Sequence, residues 1–189
     1  MLSTLPNILT LTRIFLIPVF VVVFYLPVKW SNEATTLVFT LAAITDWVDG
    51  YLARKWQQTT AFGAFLDPVA DKLMVAVVLV LMVQHEPTPW FAVPAAVIIG
   101  REIAVSALRE WMAAIGERAQ VAVSVVGKFK TTAQMIALVL LLYRDDVGLF
   151  PTQIVGYVMF YTAAALTLWS MILYLQAAWP LLLRARHEK

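Results

Sequence analysis

Residues 74–83 contain no polar side chain, and neither do residues 136–142. Continuous apolar runs of this kind do not alternate as barrel strands do, so the segments carrying them read as helices whose backbone bonds close internally. A soluble fold would have to cover these runs with polar surface, and this chain has little to offer. Of its 189 residues 61% are hydrophobic and 14% charged, against about 25% charged in soluble domains, and its mean hydropathy is +0.80. A water-soluble globule is therefore excluded at the level of composition.

Six membrane spans fit the length, at roughly 8–28, 34–56, 61–84, 89–114, 121–143 and 151–183, given ~20 residues per crossing. The fold expected is all-α, a single integral membrane domain over 1–189. The first span does not read as a cleaved signal, because its only early positive charge is Arg13 and no alanine precedes Ala34. The last is overlong for one crossing, so tilt, an interfacial turn or an extension past the membrane near Pro180 is expected.

Charge between the spans sets their direction. With both termini in the cytoplasm, only Lys29 and Arg144 of the fourteen basic residues face outward, the bias that the positive-inside rule requires. Trp30 and Trp90 then belong to the outer interface, and Trp56, Trp111 and Trp179 to the inner one.

Several chemistries drop out. Cysteine is absent and histidine limited to His85 and His187, so thiolate chemistry, cysteine-ligated zinc and a Ser/His/Asp triad lack members. Any metal must be held by oxygen. A net charge of +2 without a basic polar surface argues against nucleic acid, and the seven scattered glycines form no phosphate loop.

Against this background the acids stand out. Asp46, Asp49, Asp67 and Asp71 lie inside or at the ends of the second and third spans, where an aspartate at the bilayer centre costs ~2.5–3.5 kcal/mol. At ~100° per residue, Asp46, Asp49, Gly50 and Ala53 share one helix face, and Gly63, Asp67 and Asp71 share another. Two antiparallel helices can thus present four carboxylates toward one another, an arrangement that repels itself unless cations intervene. Hard oxygen donors suit Mg²⁺ or Mn²⁺. Bland readings stand beside this one: Asp67 before Pro68 as a helix N-cap, Asp46 or Asp49 paired with Arg54 or Lys72, and the small residues as packing contacts.

Cations flank the fourth and fifth spans at Arg101, Arg109, Lys128 and Lys130. Inside-positive flanking alone explains Lys128 and Lys130; Arg101, directly after the uncharged run 87–100, sits too deep for that. Carboxylate-bound metal on one side and several cations on another suit a polyanionic substrate, such as a pyrophosphate-linked donor with a phosphorylated acceptor.

The stretch Asp46-Trp47-Val48-Asp49-Gly50-Tyr51-Leu52-Ala53-Arg54, followed at fixed spacing by Gly63, Asp67 and Asp71, resembles the signature of the CDP-alcohol phosphatidyltransferase family at every specified position. Asn7 to Arg13, Gly100-Arg101-Glu102, Ser106 to Glu110 and Gly127 to Gln134 resemble its bacterial branch whose acceptor is glycerol-3-phosphate. The resemblance implies a homodimeric six-helix enzyme of the bacterial cytoplasmic membrane, with a cleft open to the cytoplasm. It implies transfer of the phosphatidyl group from CDP-diacylglycerol to sn-glycerol-3-phosphate, releasing CMP. It further implies two divalent ions held by Asp46, Asp49, Asp67 and Asp71, with Asp71 also the general base. Gly50, Ala53 and Gly63 would border the cytidine nucleotide with Asp46, and Arg54 would meet the donor phosphates. For the acceptor phosphate the candidates are Arg101, Arg109, Lys128 and Lys130, with a weaker case for Arg13. Alternatives are the same chemistry on inositol phosphate, serine or phosphatidylglycerol, or a cation- or proton-coupled transporter.

Overall fold

The structure is a computed structural model that describes residues 5–56, 61–114 and 125–187. These residues form six α-helices: α1 (Leu5–Phe24), α2 (Ser31–Trp56), α3 (Ala61–His85), α4 (Pro89–Ala114), α5 (Val125–Tyr143) and α6 (Thr152–His187). No strand occurs among them; Val147 and Phe150 pair only as an isolated bridge in the α5–α6 loop.

Helix ends follow local chemistry. The expected first span reached residue 28, but α1 stops at Phe24, because Pro27 lacks an N–H and disfavours helical backbone at the residue before it. At the start of α4, the Thr88 hydroxyl accepts a bond from the Phe91 amide at 3.3 Å, with Pro89 as the first helical residue. Helix α5 ends on Arg144 in the left-handed region (φ 65°), a common C-terminal cap. Asp67 and Pro68 both lie within α3, so Asp67 is not an N-cap. Helix α6 continues unbroken through Pro180 for 36 residues, about 54 Å at 1.5 Å per residue, longer than a ~30 Å hydrocarbon layer.

The chain forms two compact units. The first comprises Met1–Glu86 with Leu138–Gly156, and in it α1 packs against α2 and α3. Phe20 and Phe39 are fully buried with ring centroids 6.4 Å apart. At Gly156 an added Cβ would come within 2.9 Å of Leu141, so the beginning of α6 meets the end of α5 at a contact only glycine admits without displacing that leucine. The second unit comprises Pro87–Ala137 with Tyr157–Lys189. Its centre is Phe91 stacked on Phe160, centroids 4.7 Å apart, with Tyr157 edge-on to Phe91.

Polarity is distributed the wrong way round for water. Phe15, Trp47, Trp90 and Ile103 are among many large apolar side chains left exposed, while Thr10, Arg13, Arg101, Lys130 and Ser170 are buried. Pro89–Ala113 and Thr152–Gln176 are long and apolar enough to cross a membrane. Only 22% and 28% of their apolar windows is buried, unlike the core helices of soluble proteins. Ile8–Phe24 and Phe129–Tyr143 are shorter apolar helices. Threonines in α2 turn inward on their own helix: Thr35, Thr36, Thr40 and Thr45 each donate to the carbonyl four residues earlier at 2.6–2.7 Å, which satisfies the hydroxyl without a partner helix.

Candidate active site

Arg13 organises the acidic cluster in the first unit. Its side chain, 2% exposed, rises from α1 between two carboxylates. Nη1 lies 2.8 Å from Asp46 Oδ1 on α2 and donates to Asp71 Oδ1 on α3. One turn earlier on the same face of α1, the buried Thr10 hydroxyl donates to Asp67 Oδ1. Helix α1 thus supplies the donors, and α2 and α3 the acceptors. A guanidinium buried without counter-charge would cost several kcal/mol, so the pairing explains how Arg13 is tolerated there. The acids remain half open, with Asp46 39% and Asp71 42% exposed at the side chain.

Asp46 and Asp71 meet at a shared positive centre, while Asp67 is engaged a turn away. No three metal-ligating side chains converge into a cage among the described residues. The side chains of Asp49, Gly50, Ala53 and Arg54 lie outside the described residues, although α2 runs through these positions. Gly63 is buried within α3. The donor set fits a hard divalent ion, since carboxylate oxygens from two helices already converge on one cation. The motif carries the acids openly. Arg13, the weaker of the phosphate candidates, pairs with Asp46 and Asp71, and its spacing from Thr10 was the available signal for that contact.

The cationic candidates form a network in the second unit. Glu102 Oε1 accepts from Lys130 Nζ at 2.5 Å and from Arg101 Nη1 at 3.2 Å. Arg101 Nη2 donates to Ser170 Oγ at 3.1 Å, and that hydroxyl donates to the Thr167 carbonyl at 2.9 Å. Arg101 and Arg109 both lie over the Tyr174 ring, 5.5 and 5.1 Å from its centroid, and Arg109 Nη2 donates to the Tyr174 hydroxyl at 2.5 Å. Lys130 is 1% exposed, whereas Arg109 stands open to solvent. Arg101 Nε and Gln134 Oε1 are buried without a hydrogen-bond partner among the described residues. Arg101, Arg109 and Lys130 are thus brought together; the Lys128 side chain lies outside the described residues. Glu102, Ser170 and Tyr174 are the members that sequence reasoning did not single out. Glu102 stood in view beside Arg101, but its role depends on a lysine a helix away.

The family model for CDP-alcohol phosphatidyltransferase matches residues 3–169. The CDP-diacylglycerol–glycerol-3-phosphate 3-phosphatidyltransferase of Shigella flexneri serotype 5b (strain 8401) is 58% identical over 174 residues, 92% of this chain and 94% of the relative. The protein of the same name from Escherichia coli (strain K12) is 57% identical over the same shares of both chains. With the signature of residues 46–71, an all-helical fold and a match running through nearly its whole length, the chain belongs to the CDP-alcohol phosphatidyltransferase family.

Proposed function

We propose that this chain is a single-domain membrane enzyme that transfers the phosphatidyl group of CDP-diacylglycerol to sn-glycerol-3-phosphate, forming phosphatidylglycerophosphate and CMP. The observation that carries the reading is the 57–58% identity, across 92% of the chain, to relatives bearing that name. The enzyme works as a homodimer in the bacterial cytoplasmic membrane, its six helices crossing the bilayer with both termini and the active site on the cytoplasmic side. The apolar exterior of the helices and the charge bias of the loops support that placement.

Asp46, Asp49, Asp67 and Asp71 would hold the divalent ions, Mg²⁺ or Mn²⁺ and two in number. When bound, such ions neutralise charge along a pyrophosphate and on the departing nucleotide. Gly50, Ala53 and Gly63, with Asp46, leave room beside the cytidine nucleotide, and Arg54 contacts the donor phosphates. Arg101, Arg109, Lys128 and Lys130 hold the acceptor phosphate. Asp71 takes the proton of the acceptor hydroxyl as its oxygen attacks the phosphorus bearing the diacylglycerol. The bond from that phosphorus to the bridging oxygen breaks, and CMP leaves with the electron pair. The fatty tails stay in lipid throughout.

The test is acceptor preference. Purified protein given CDP-diacylglycerol and Mg²⁺ releases CMP with glycerol-3-phosphate and not with serine. The reverse preference overturns the acceptor assignment, and solute movement across vesicles without CMP release overturns the transferase reading.

A further inference from the structure

Arg13 stands between Asp46 and Asp71, two of the carboxylates read above as metal ligands. Its guanidinium is buried, and a single nitrogen faces both carboxylates, which come from different helices. Two carboxylates this close repel each other, and a fixed positive charge between them keeps the helices that carry them together. A divalent ion entering the same oxygens meets that charge at contact distance and must compete with it.

We propose that Arg13 is a built-in counter-ion. It holds Asp46 and Asp71 in the metal-free protein and withdraws from them when a divalent cation binds. This rests on the reading of Asp46 and Asp71 as metal ligands given above. Arg13 is then a positioning residue with two opposite effects: it stabilises the carboxylate pair when no metal is bound and weakens metal binding there. Once displaced, it frees the Asp71 oxygen to which it now donates, the atom that has to receive a proton. An arginine with a merely structural role would produce the first effect without the second.

The experiment compares wild type, Arg13→Gln and Arg13→Lys in detergent, reading thermal unfolding without metal and Mn²⁺ affinity by titration calorimetry. Arg13→Gln is expected to unfold at lower temperature without metal, yet to bind Mn²⁺ roughly tenfold more tightly, because the competing charge is gone. Arg13→Lys, which keeps the charge, falls between the two on both readouts. A triple variant, Arg13→Gln with Asp46→Asn and Asp71→Asn, recovers unfolding temperature relative to Arg13→Gln alone, since the repulsion leaves with the carboxylates. If Arg13→Gln is too unstable to titrate, Arg13→Lys decides the matter: Mn²⁺ binding no tighter than wild type overturns the proposal. Unchanged or weaker Mn²⁺ binding in Arg13→Gln overturns the counter-ion proposal while leaving the metal reading intact. Absence of Mn²⁺ binding in wild type and variants alike overturns both.

Discussion

In the first unit one buried cation, Arg13, serves two carboxylates, Asp46 and Asp71; in the second, one carboxylate, Glu102, serves two buried cations, Arg101 and Lys130. Among the described residues, carboxylates outnumber cations in the first cluster and cations outnumber carboxylates in the second. Exposure is inverted as well. The acids of the first cluster are about two-fifths open, whereas the cations of the second are nearly closed off and Glu102 is 24% exposed. The lesson is that an apolar interior accepts like charges in pairs if a single opposite charge binds both. Under the proposed function, the acidic cluster would take divalent cations and the basic one, with Arg109 exposed beside it, the acceptor phosphate.

Four substitutions or titrations break or sharpen this contrast. The largest effect is expected from Asp71→Asn, which removes the proposed base and keeps Asp46 on Arg13. CMP release should fall by roughly 10²–10⁴-fold while the protein stays folded, measured by activity and circular dichroism on one preparation. Residual activity near wild type would remove Asp71 from the chemistry.

Glu102→Gln should act on stability first. It leaves Arg101 and Lys130 buried without their shared anion, a loss of about 3–5 kcal/mol measurable by denaturation in mild detergent. Glycerol-3-phosphate should restore stability more strongly in this variant than in wild type. Equal stability without ligand would mean that Glu102 does not hold the two cations.

Ser170→Ala removes one hydrogen bond to the Arg101 guanidinium, worth about 1.5–3 kcal/mol for a charged donor. Because Ser170 and Lys130 are joined through Arg101 and Glu102, the loss should couple to that of a Lys130 variant by about 0.5–3 kcal/mol. Additivity within a few tenths of a kcal/mol in a double-mutant cycle would show that the two bonds act independently.

The smallest effect concerns pH. His85 ends α3 outside the apolar run, and partial burial, then the positive charge of Arg144, hold its imidazole below the ordinary range; the opposing pull of Glu86 is weaker. A depressed folded-state value means that the unfolded chain binds more protons as pH falls. The stabilisation is full above pH ~6.5 and is lost as pH falls through the folded value. Unfolding temperatures at pH 7.5 and 5.5 should therefore differ less in His85→Gln than in wild type.

Much of this was legible beforehand. Apolar length and the absence of alternation pointed to six helices, because a helix is specified locally and lipid leaves few alternatives. The acids were equally plain, as charges in surroundings that penalise them. What stayed hidden were partners. Arg13 reaches Asp71 across 58 positions of sequence and Lys130 reaches Glu102 across 28, and no local pattern records which helices will touch. Asp67 before Pro68 offered a capping signal, but α3 begins at Ala61 and helix packing overrides that dipeptide.

The threonines of α2 carry a consequence for motion. Since Thr35, Thr36, Thr40 and Thr45 lend their protons to their own backbone, these hydroxyls do not rivet α2 to its neighbours. The helix bearing Asp46 can shift along an apolar seam without first breaking those bonds; the arginine clasp ties it to α1 at one end, and the Ser31 hydroxyl donates to the Val23 carbonyl at 2.9 Å at the other. Releasing that clasp would give the helix a degree of freedom that a riveted one lacks.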